Sequence, residues 1–495
     1  VQTTCPYCGT GCSFNLVVKD GKVVGTAPYH RSPVNEGKVC PKGTYAHEFI
    51  NSPDRLTKPL IKKDGKFVEA SWEEAIKLIA DKFKSYKPDE CAVLSSARVS
   101  NEENYAMMKF ARGVLKTRHI DHCARLCHAS TVAGLANIFG SGAMTNSFGE
   151  FAKAKMILVI GSNMTEAHPV AASLLKMAVI GGAEMIVVDP RRTPLVDLAN
   201  LHVQIKVGSD VAFLNGVMNV LITEDLYDKN FVESCTMGFE ELKQKVLEYP
   251  PERAAAISGV GADVIRTVAR RLAANRPAML MYTLGITEHI CGVNNVMSCA
   301  NLQMLLGNVG FECGGVNPLR GQNNVQGACD MGALPNVFPG YQRVDNPQAR
   351  EKFAAAWKVE KLPEKPGLMI PQMIDGLLDG KVKAFYVFGE NLANTEPDIR
   401  HVENCLATAE FLVCQDIFPT ETTRFAHVVL PAAAWSENDG TFTSSERRVN
   451  RVRTASVPPG EAKPNWWIFK EIARRMGYVW ESDSAQELWD NEVSQ

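Results

Sequence analysis

Four cysteines near the start of the chain are spaced as ligands: Cys5-x2-Cys8-x3-Cys12, then 27 residues, then Cys40 followed by Pro41. Four thiolates suit either tetrahedral zinc or an iron–sulfur cluster. Zinc sites usually pair their cysteines as two short knuckles. Here three are bunched and one stands apart before a proline, as in cluster-binding loops, so the spacing favours a [4Fe-4S] cluster. Gly9, Gly11, Gly21, Gly37 and Gly43 crowd the same stretch, and the module reads as one built around its ligands more than around an apolar core. Lys19-Asp20-Gly21-Lys22, between Phe14–Val18 and Val23–Thr26, predicts a hairpin.

A second pattern occurs twice. Met156-Ile157-Leu158-Val159-Ile160-Gly161-Ser162-Asn163 and Ala384-Phe385-Tyr386-Val387-Phe388-Gly389-Glu390-Asn391 each run from an apolar strand into Gly-x-Asn. Asp189, at the end of Met185–Val188, follows Gly161 by 28 residues, and Asp416, at the end of Phe411–Gln415, follows Gly389 by 27. A glycine at the carboxyl end of a strand lets backbone N–H groups approach a phosphate, while an acid ending the next strand can accept from a ribose or a guanine edge. Two such half-sites in one chain point to a ligand with two nucleotides. Neither carries a full Gly-x-Gly-x-x-Gly, which disfavours a conventional NAD pocket.

These sites must be held by strand-to-helix junctions, and two more of that kind stand at Ala92–Arg98 and Ala278–Gly285. From Trp72 onward, β-type apolar runs alternate with helical periodicity, the signature of parallel sheets with crossover helices, so the fold class is α/β. A length of 495 residues predicts about three domains. With 53 basic against 55 acidic residues, no global field calls for nucleic acid. Hydrophobic residues make up 45% of the chain, yet the longest apolar stretch, Val170–Val188, is broken by Lys176 and Glu184, which argues against a membrane span. The opening Val1-Gln2-Thr3-Thr4 has no leader pattern, and the sequence as it stands reads as cytoplasmic. Fourteen cysteines in a chain this long are too sparse for a disulfide scaffold. Cys291, Cys299, Cys313 and Cys329 lack cluster spacing, Cys91, Cys235 and Cys405 have no ligand-like neighbours, and Cys123 reads as packing.

The segment from Cys5 to Gly43, with Cys-Pro-Tyr-Cys-Gly-Thr-Gly-Cys and Val-Cys-Pro-Lys-Gly, resembles the N-terminal domain of molybdopterin-dependent oxidoreductases. His122-Cys123-Ala124-Arg125-Leu126-Cys127-His128 and Asn317-Pro318-Leu319-Arg320-Gly321-Gln322-Asn323-Asn324-Val325-Gln326-Gly327 resemble the catalytic segments of formate dehydrogenases. The likeness runs from about Thr4 to beyond Glu446. It implies a Mo or W ion held by two molybdopterin guanine dinucleotides, in agreement with the doubled half-site. Gly161, Asn163, Glu166 and His168 would serve one pterin, with Asp189, Arg191, Thr193, Gly208 and Asp210 around its guanine. Gly389, Asn391, Gln415 and Asp416 would serve the other, and Gly285, Glu288, Gly321, Gln322, Asn323 and Asn324 would lie near the metal end. Cys127 matches the metal-ligand position, where many relatives carry selenocysteine; Lys42 matches the lysine between cluster and pterin.

The same resemblance implies the reaction, formate to CO2, with electrons leaving through the cluster. His128 can take a proton as a general base, and Arg320 offers a planar fork matched to a carboxylate. Hydride transfer and proton abstraction by His128 both stay open. A cysteine-ligated nitrate reductase lacks the Cys-His pair and this arginine, and an electron-relay relative would not need Cys127, His128 and Arg320 intact. One cluster and no flavin motif imply an iron–sulfur or flavin partner subunit. The implied domains are 1–57 with a return segment at about 435–480, a split unit of 58–122 and 323–434, and 123–322 between. Relatives usually add a β-barrel-like C-terminal cap over both pterins, and this sequence ends at Gln495 before it. The expectation is that the cap is truncated from this sequence, lies outside these residues, or is supplied by a separate chain.

Purified protein should hold about four iron atoms and one Mo or W per chain. Elemental analysis checks this, and stoichiometric zinc without iron would refute the cluster.

Overall fold

The computed structural model describes residues 1–495. Its first element is a three-stranded antiparallel sheet of Gln2–Thr4, Ser13–Lys19 and Lys22–Pro28. The expected hairpin is present: Lys19 pairs with Lys22, and Asp20 and Gly21 between them have φ of 51° and 75°. Two consecutive left-handed residues make the tight turn whose twist suits a hairpin, and Asp-Gly tolerates it best.

Two sheets carry the rest. The first has five parallel strands in the order Leu201–Val203, Glu184–Val188, Met156–Ile160, Ala278–Tyr282, Val316–Pro318. The second has seven, ordered Lys66–Glu69, Leu60–Lys63, Val428–Pro431, Phe411–Asp416, Ala384–Phe388, Cys91–Ser95, His119–His122. Its last five are parallel, and the Leu60–Glu69 hairpin joins antiparallel at one edge. The chain enters the seven-stranded sheet, leaves to build the five-stranded one, and returns.

Central strands buried on both faces need apolar residues at every position. Met156, Leu158 and Ile160 enter one core, while Ile157 and Val159 enter the core on the opposite face. Ala384, Tyr386 and Phe388 likewise face one core, and Phe385 and Val387 the other. Both Gly-x-Asn strands are therefore rigid rods covered on two sides. Each sits beside one of the other two junction strands: Met156–Ile160 beside Ala278–Tyr282, and Ala384–Phe388 beside Cys91–Ser95.

The expected return segment divides in two. The hairpin of Gly440–Thr443 and Val449–Val452 meets the N-terminal module, where Thr4 Oγ1 donates to Arg451 O at 3.0 Å and Ser445 N to Gly9 O at 2.8 Å. The helix Asn465–Arg475 instead joins the core of the seven-stranded layer, because Ile468, Phe469 and Ile472 pack there and the Phe469 ring meets those of Phe110 and Tyr386 tilted and that of Phe388 edge-on. An apolar helix face goes where it buries the most surface.

Arg55, which follows the N-terminal module, ties it to this returning chain. Its guanidinium meets both Glu437 oxygens at 3.0 and 2.8 Å and donates to Ile50 O and Ala432 O, with both ionic side chains 1% exposed. A buried pair of this kind adds little net stability, but breaking it strands one charge in a low dielectric. Glu437→Gln should cost about 3–5 kcal/mol, read as a lowered melting temperature. Arg55→Met with Glu437→Met should melt closer to the parent than either single variant.

Candidate active site

Cys5, Cys8, Cys12 and Cys40 are unpaired thiols that line one small cavity with Tyr7, Val39, Gly43, Pro169 and Val170. Cys5 and Cys12 are buried, and Cys5 N donates to Cys12 O at 2.8 Å, which closes the loop around the sulfurs. Four free thiols that line one cavity are a donor set that fits a four-iron cluster. Burial and mutual repulsion push the Cys5 thiol well up, so a cationic centre is what such crowded sulfurs need. Lys42, on the helix that starts after Cys40, donates to Glu166 O at 2.7 Å and so links this module to the loop after Gly161.

The two Gly-x-Asn turns superimpose in their details. Gly161 has φ +57° and Gly389 φ +59°. Gly161 N donates to Val188 O and Gly389 N to Gln415 O, both at 2.9 Å. Each glycine carbonyl then accepts a hydroxyl from the neighbouring junction, Thr283 Oγ1 at 3.0 Å in the first turn and Ser96 Oγ at 2.8 Å in the second. Asn163 and Asn391 each precede a one-turn helix, Met164–Ala167 and Leu392–Thr395. Thr283 and Ser96 were not singled out in the sequence; their place in the Ala278–Gly285 and Ala92–Arg98 junctions was the available signal.

A cavity opens beside each turn. One of about 270 Å³ is lined by Gly161, Asn163, Asp189, Arg191, Gly208, Asp210 and Gly285. The other, of about 390 Å³, is lined by Gly389, Gln415 and Asp416 with Arg98, Ser100 and Glu103. Asp189 Oδ1 accepts from Arg191 N at 2.8 Å, and Asp416 Oδ1 from Ile417 N at 2.6 Å; burial raises the Asp416 carboxyl to about 6. Arg98 donates to Tyr7 O at 2.6 Å and bridges the second cavity to the cluster module, a role its sequence position did not announce.

The halves differ in what they leave free. In the first, Ser162 Oγ, Asn163 Oδ1, Thr165 Oγ1, His168 Nδ1 and Thr193 Oγ1 are buried without partners. Such atoms are costly unless a ligand satisfies them, and they fit a phosphate-bearing and pterin-bearing cofactor. In the second, Glu390 Oε1 and Trp435 Nε1 are also left unpaired, but Asn391 is spent on Glu421 at 2.6 Å and Thr422 at 2.9 Å, and Gln415 on Tyr386 at 2.5 Å and Asn465 at 2.7 Å. Their side chains brace the cavity wall.

Cys127, His128 and Arg320 converge between the sheets. Burial pushes the Cys127 thiol up to about 11, against the pull of Gly321 N–H and the Arg320 charge, while Glu288 adds a further upward push. Gly321 leaves the sulfur room, since a Cβ there would stand 4.0 Å from Cys127 Sγ. Gln322 accepts from Cys123 Sγ at 3.1 Å, Asn323 donates to Arg98 O at 3.3 Å, and Asn324 joins Val99 O and Thr443 N, both at 2.7 Å. This run is a seam between the two layers, and Asn323 Oδ1 alone of these side-chain oxygens is left buried and unpaired.

His128 departs from expectation. It is wholly buried, Nε2 lies 3.1 Å from Leu319 O, and Nδ1 lies 3.0 Å from Thr131 Oγ1, which meets Tyr282 OH at 3.0 Å. A carbonyl only accepts, so Nε2 carries the proton and Nδ1 is occupied by the Thr131 hydroxyl. Burial and the Arg320 charge lower the ring's pKa to about 3. Both ring nitrogens are thus engaged, Nε2 by the Leu319 carbonyl and Nδ1 by the Thr131 hydroxyl.

Arg320 is 1% exposed and has no ion-pair partner; Nη2 donates to Gly142 O at 2.9 Å, Nη1 approaches Cys329 Sγ at 3.9 Å, and Nε is unpaired. A buried guanidinium with donors to spare demands an anion. Cys329, left as structure in the sequence, shares this pocket with His122 Nε2 at 3.4 Å.

Gly161→Ala should be the harsher of two matched substitutions. A left-handed alanine costs about 1–2 kcal/mol in either turn, but a Cβ at 161 would stand 2.7 Å from the Gly285 backbone, whereas at 389 it would meet the Ser96 side chain at 3.1 Å. Guanine nucleotide released per chain by acid should fall more for Gly161→Ala than for Gly389→Ala.

Comparison with known proteins agrees with this geometry. A family model for the molybdopterin oxidoreductase Fe4S4 domain matches residues 1–52, and one for molybdopterin oxidoreductase matches 55–475. F420-dependent formate dehydrogenase 2 subunit alpha of Methanococcus maripaludis is 51% identical over 99% of this chain and 72% of its own. Formate dehydrogenase H of Escherichia coli is 42% identical over 99% and 70%. Acetylene hydratase from Pelobacter acetylenicus shares the fold at TM-score 0.80 and 25% identity, covering all of this chain and 72% of its own. No helix is long and apolar enough to cross a membrane. The iron–sulfur module, the doubled Gly-x-Asn turn and these matches make one conclusion: the chain belongs to the molybdopterin oxidoreductases.

Proposed function

We propose that the protein is the catalytic subunit of a formate dehydrogenase, which oxidises formate to CO2 by two electrons, reversibly, and passes them out through its [4Fe-4S] module. The observation that carries this reading is Arg320, a buried cation without a counter-ion beside Cys127. A bound Mo or W ion on two pterin guanine dinucleotides supplies the two-electron redox centre.

The residues then divide the work. Cys127 would ligate the metal. Arg320 would hold the formate carboxylate, for which Nε and the unused Nη protons are available. His128 would keep Arg320 aimed through Leu319 O, and Gly142 O would fix the plane of its guanidinium. Gly161, Asn163, Glu166 and His168 would serve one pterin, with Asp189, Arg191, Thr193, Gly208 and Asp210 at its nucleotide end. Gly389 and Asp416 would face the other nucleotide, with Asn391 and Gln415 bracing it. Gly285, Glu288 and Gly321–Asn324 would surround the metal end. Lys42 would stand on the electron path, since its ammonium joins the cluster module to the first pterin loop.

Residues 58–122 with 323–434, and 123–322, would act as the two nucleotide-binding units around the shared site. An iron–sulfur or flavin subunit would take the electrons. The relatives named for F420 make that compound the acceptor to try beside a dye. Fourteen unpaired cysteines fit a reducing, cytoplasmic setting.

Arg320→Lys keeps the charge and loses the fork, so formate-dependent dye reduction should fall about ten- to a hundredfold in kcat/KM, the equivalent of roughly 1.5–3 kcal/mol. KM for formate should rise while metal content stays normal. Cys127→Ala should instead change the paramagnetic spectrum of the partly reduced metal. Loss of cofactor in Arg320→Lys with unchanged kinetics per bound metal would make Arg320 a phosphate clamp, and nitrate-dependent dye oxidation in the parent would overturn the substrate.

A further inference from the structure

Outside this site, one cluster of metal-ligating side chains has no part in the chemistry above. The helices Ile370–Leu378 and Ile399–Ala407 pack together on one face of the seven-stranded sheet, where their residues share a core. His401 and Cys405 are four residues apart on the second helix, so both project from one side of it. Asp375 reaches them from the first helix: its Oδ1 lies 2.7 Å from His401 Nε2, and Cys405 Sγ lies 3.5 Å from that same nitrogen. All three donor atoms lie within 4.8 Å of one another. Cys405, with no ligand-like neighbour assigned from the sequence, thus has two.

We propose that Asp375, His401 and Cys405 form a second metal site, separate from the molybdopterin centre, for a single zinc-type divalent cation with its fourth position open to solvent. Zinc takes one oxygen, one imidazole nitrogen and one thiolate readily, and about 2.0–2.3 Å to each sets tetrahedral donors about 3.3–3.8 Å apart. The nitrogen–sulfur separation is already in that range, and the oxygen need move outward by only a fraction of an ångström. Asp375 is exposed and His401 half-buried, which gives the ion a way in, while buried Cys405 anchors the inner side. Binding displaces the Cys405 thiol proton and leaves neutral His401 protonated on Nδ1. Two helices joined by packing and one hydrogen bond then share an ion. A lone His–Asp hydrogen bond beside an inert thiol is the alternative, and it predicts no ion.

The test uses the loaded enzyme, stripped of loosely held metal with a mild chelator and dialysed against Zn²⁺. The parent should retain one more zinc per chain than either Cys405→Ser or His401→Gln, and zinc should raise the melting temperature of the parent only. In His401→Gln the amide can still donate to Asp375, so this variant folds with the local hydrogen bond kept. Co²⁺ in place of Zn²⁺ should add a thiolate-to-cobalt absorption to the parent that both variants lack. Formate-dependent dye reduction should be equal in all three proteins. Equal zinc retention by parent and His401→Gln, or a parent–Co²⁺ complex with no thiolate band, would overturn the site.

Discussion

The backbone at Leu319 and Arg320 is the clasp on which the rest depends. Leu319 O faces His128 Nε2 at 3.1 Å, and Arg320 O takes both Gly9 N at 3.1 Å and His168 Nε2 at 2.7 Å. Arg320 N donates to Ser445 Oγ at 3.0 Å. Two peptide units thus join the cluster module, the first Gly-x-Asn loop, the Cys127 segment and the returning chain. Gly9 is obligatory here, since a Cβ would stand 2.5 Å from Ser445 Oγ and 2.6 Å from Arg320 O. Burying so many polar groups is tolerable only because nearly all are paired at this point.

That clasp explains how Arg320 can be buried as a bare cation. Taking a guanidinium out of water costs several kcal/mol unless charge and hydrogen bonds replace the hydration. Asp330, Tyr341 and the nearby thiols lie close enough to favour the charged form, yet none forms an ion pair with it. The protein holds the arginine through its backbone and, at the head group, through Gly142 O, and leaves Nε without a partner.

The doubled turn solves a different problem. The fold repeats one local device in both layers: a left-handed glycine whose N–H and carbonyl are both engaged by the neighbouring strand ends. The repetition stops at the side chains. Unpaired atoms are more numerous along the first half, whereas the second leaves Glu390 Oε1 and Trp435 Nε1 free and spends its amides on Glu421, Thr422, Tyr386 and Asn465. Equal backbones therefore present unequal surfaces.

The sequence by itself determined the local pieces. Cysteine spacing marked the cluster module, Asp20-Gly21 its hairpin, and continuous apolar runs ending in Gly-x-Asn the two buried strands, because each of these is set by residues adjacent in the chain. Family resemblance placed Cys127 and Arg320. Only the tertiary structure decided what those residues face. It occupied both nitrogens of His128, denied Arg320 a counter-ion, set Thr283 and Ser96 on the glycine carbonyls, and sent Asn465–Arg475 into a core rather than back to the module. It also brought Asp375 to His401 and Cys405 across two helices. These contacts join residues far apart in the chain. The protonation and hydrogen bonding of a buried group depend on neighbours that only the packed sheets assemble, so spacing alone carries no record of them.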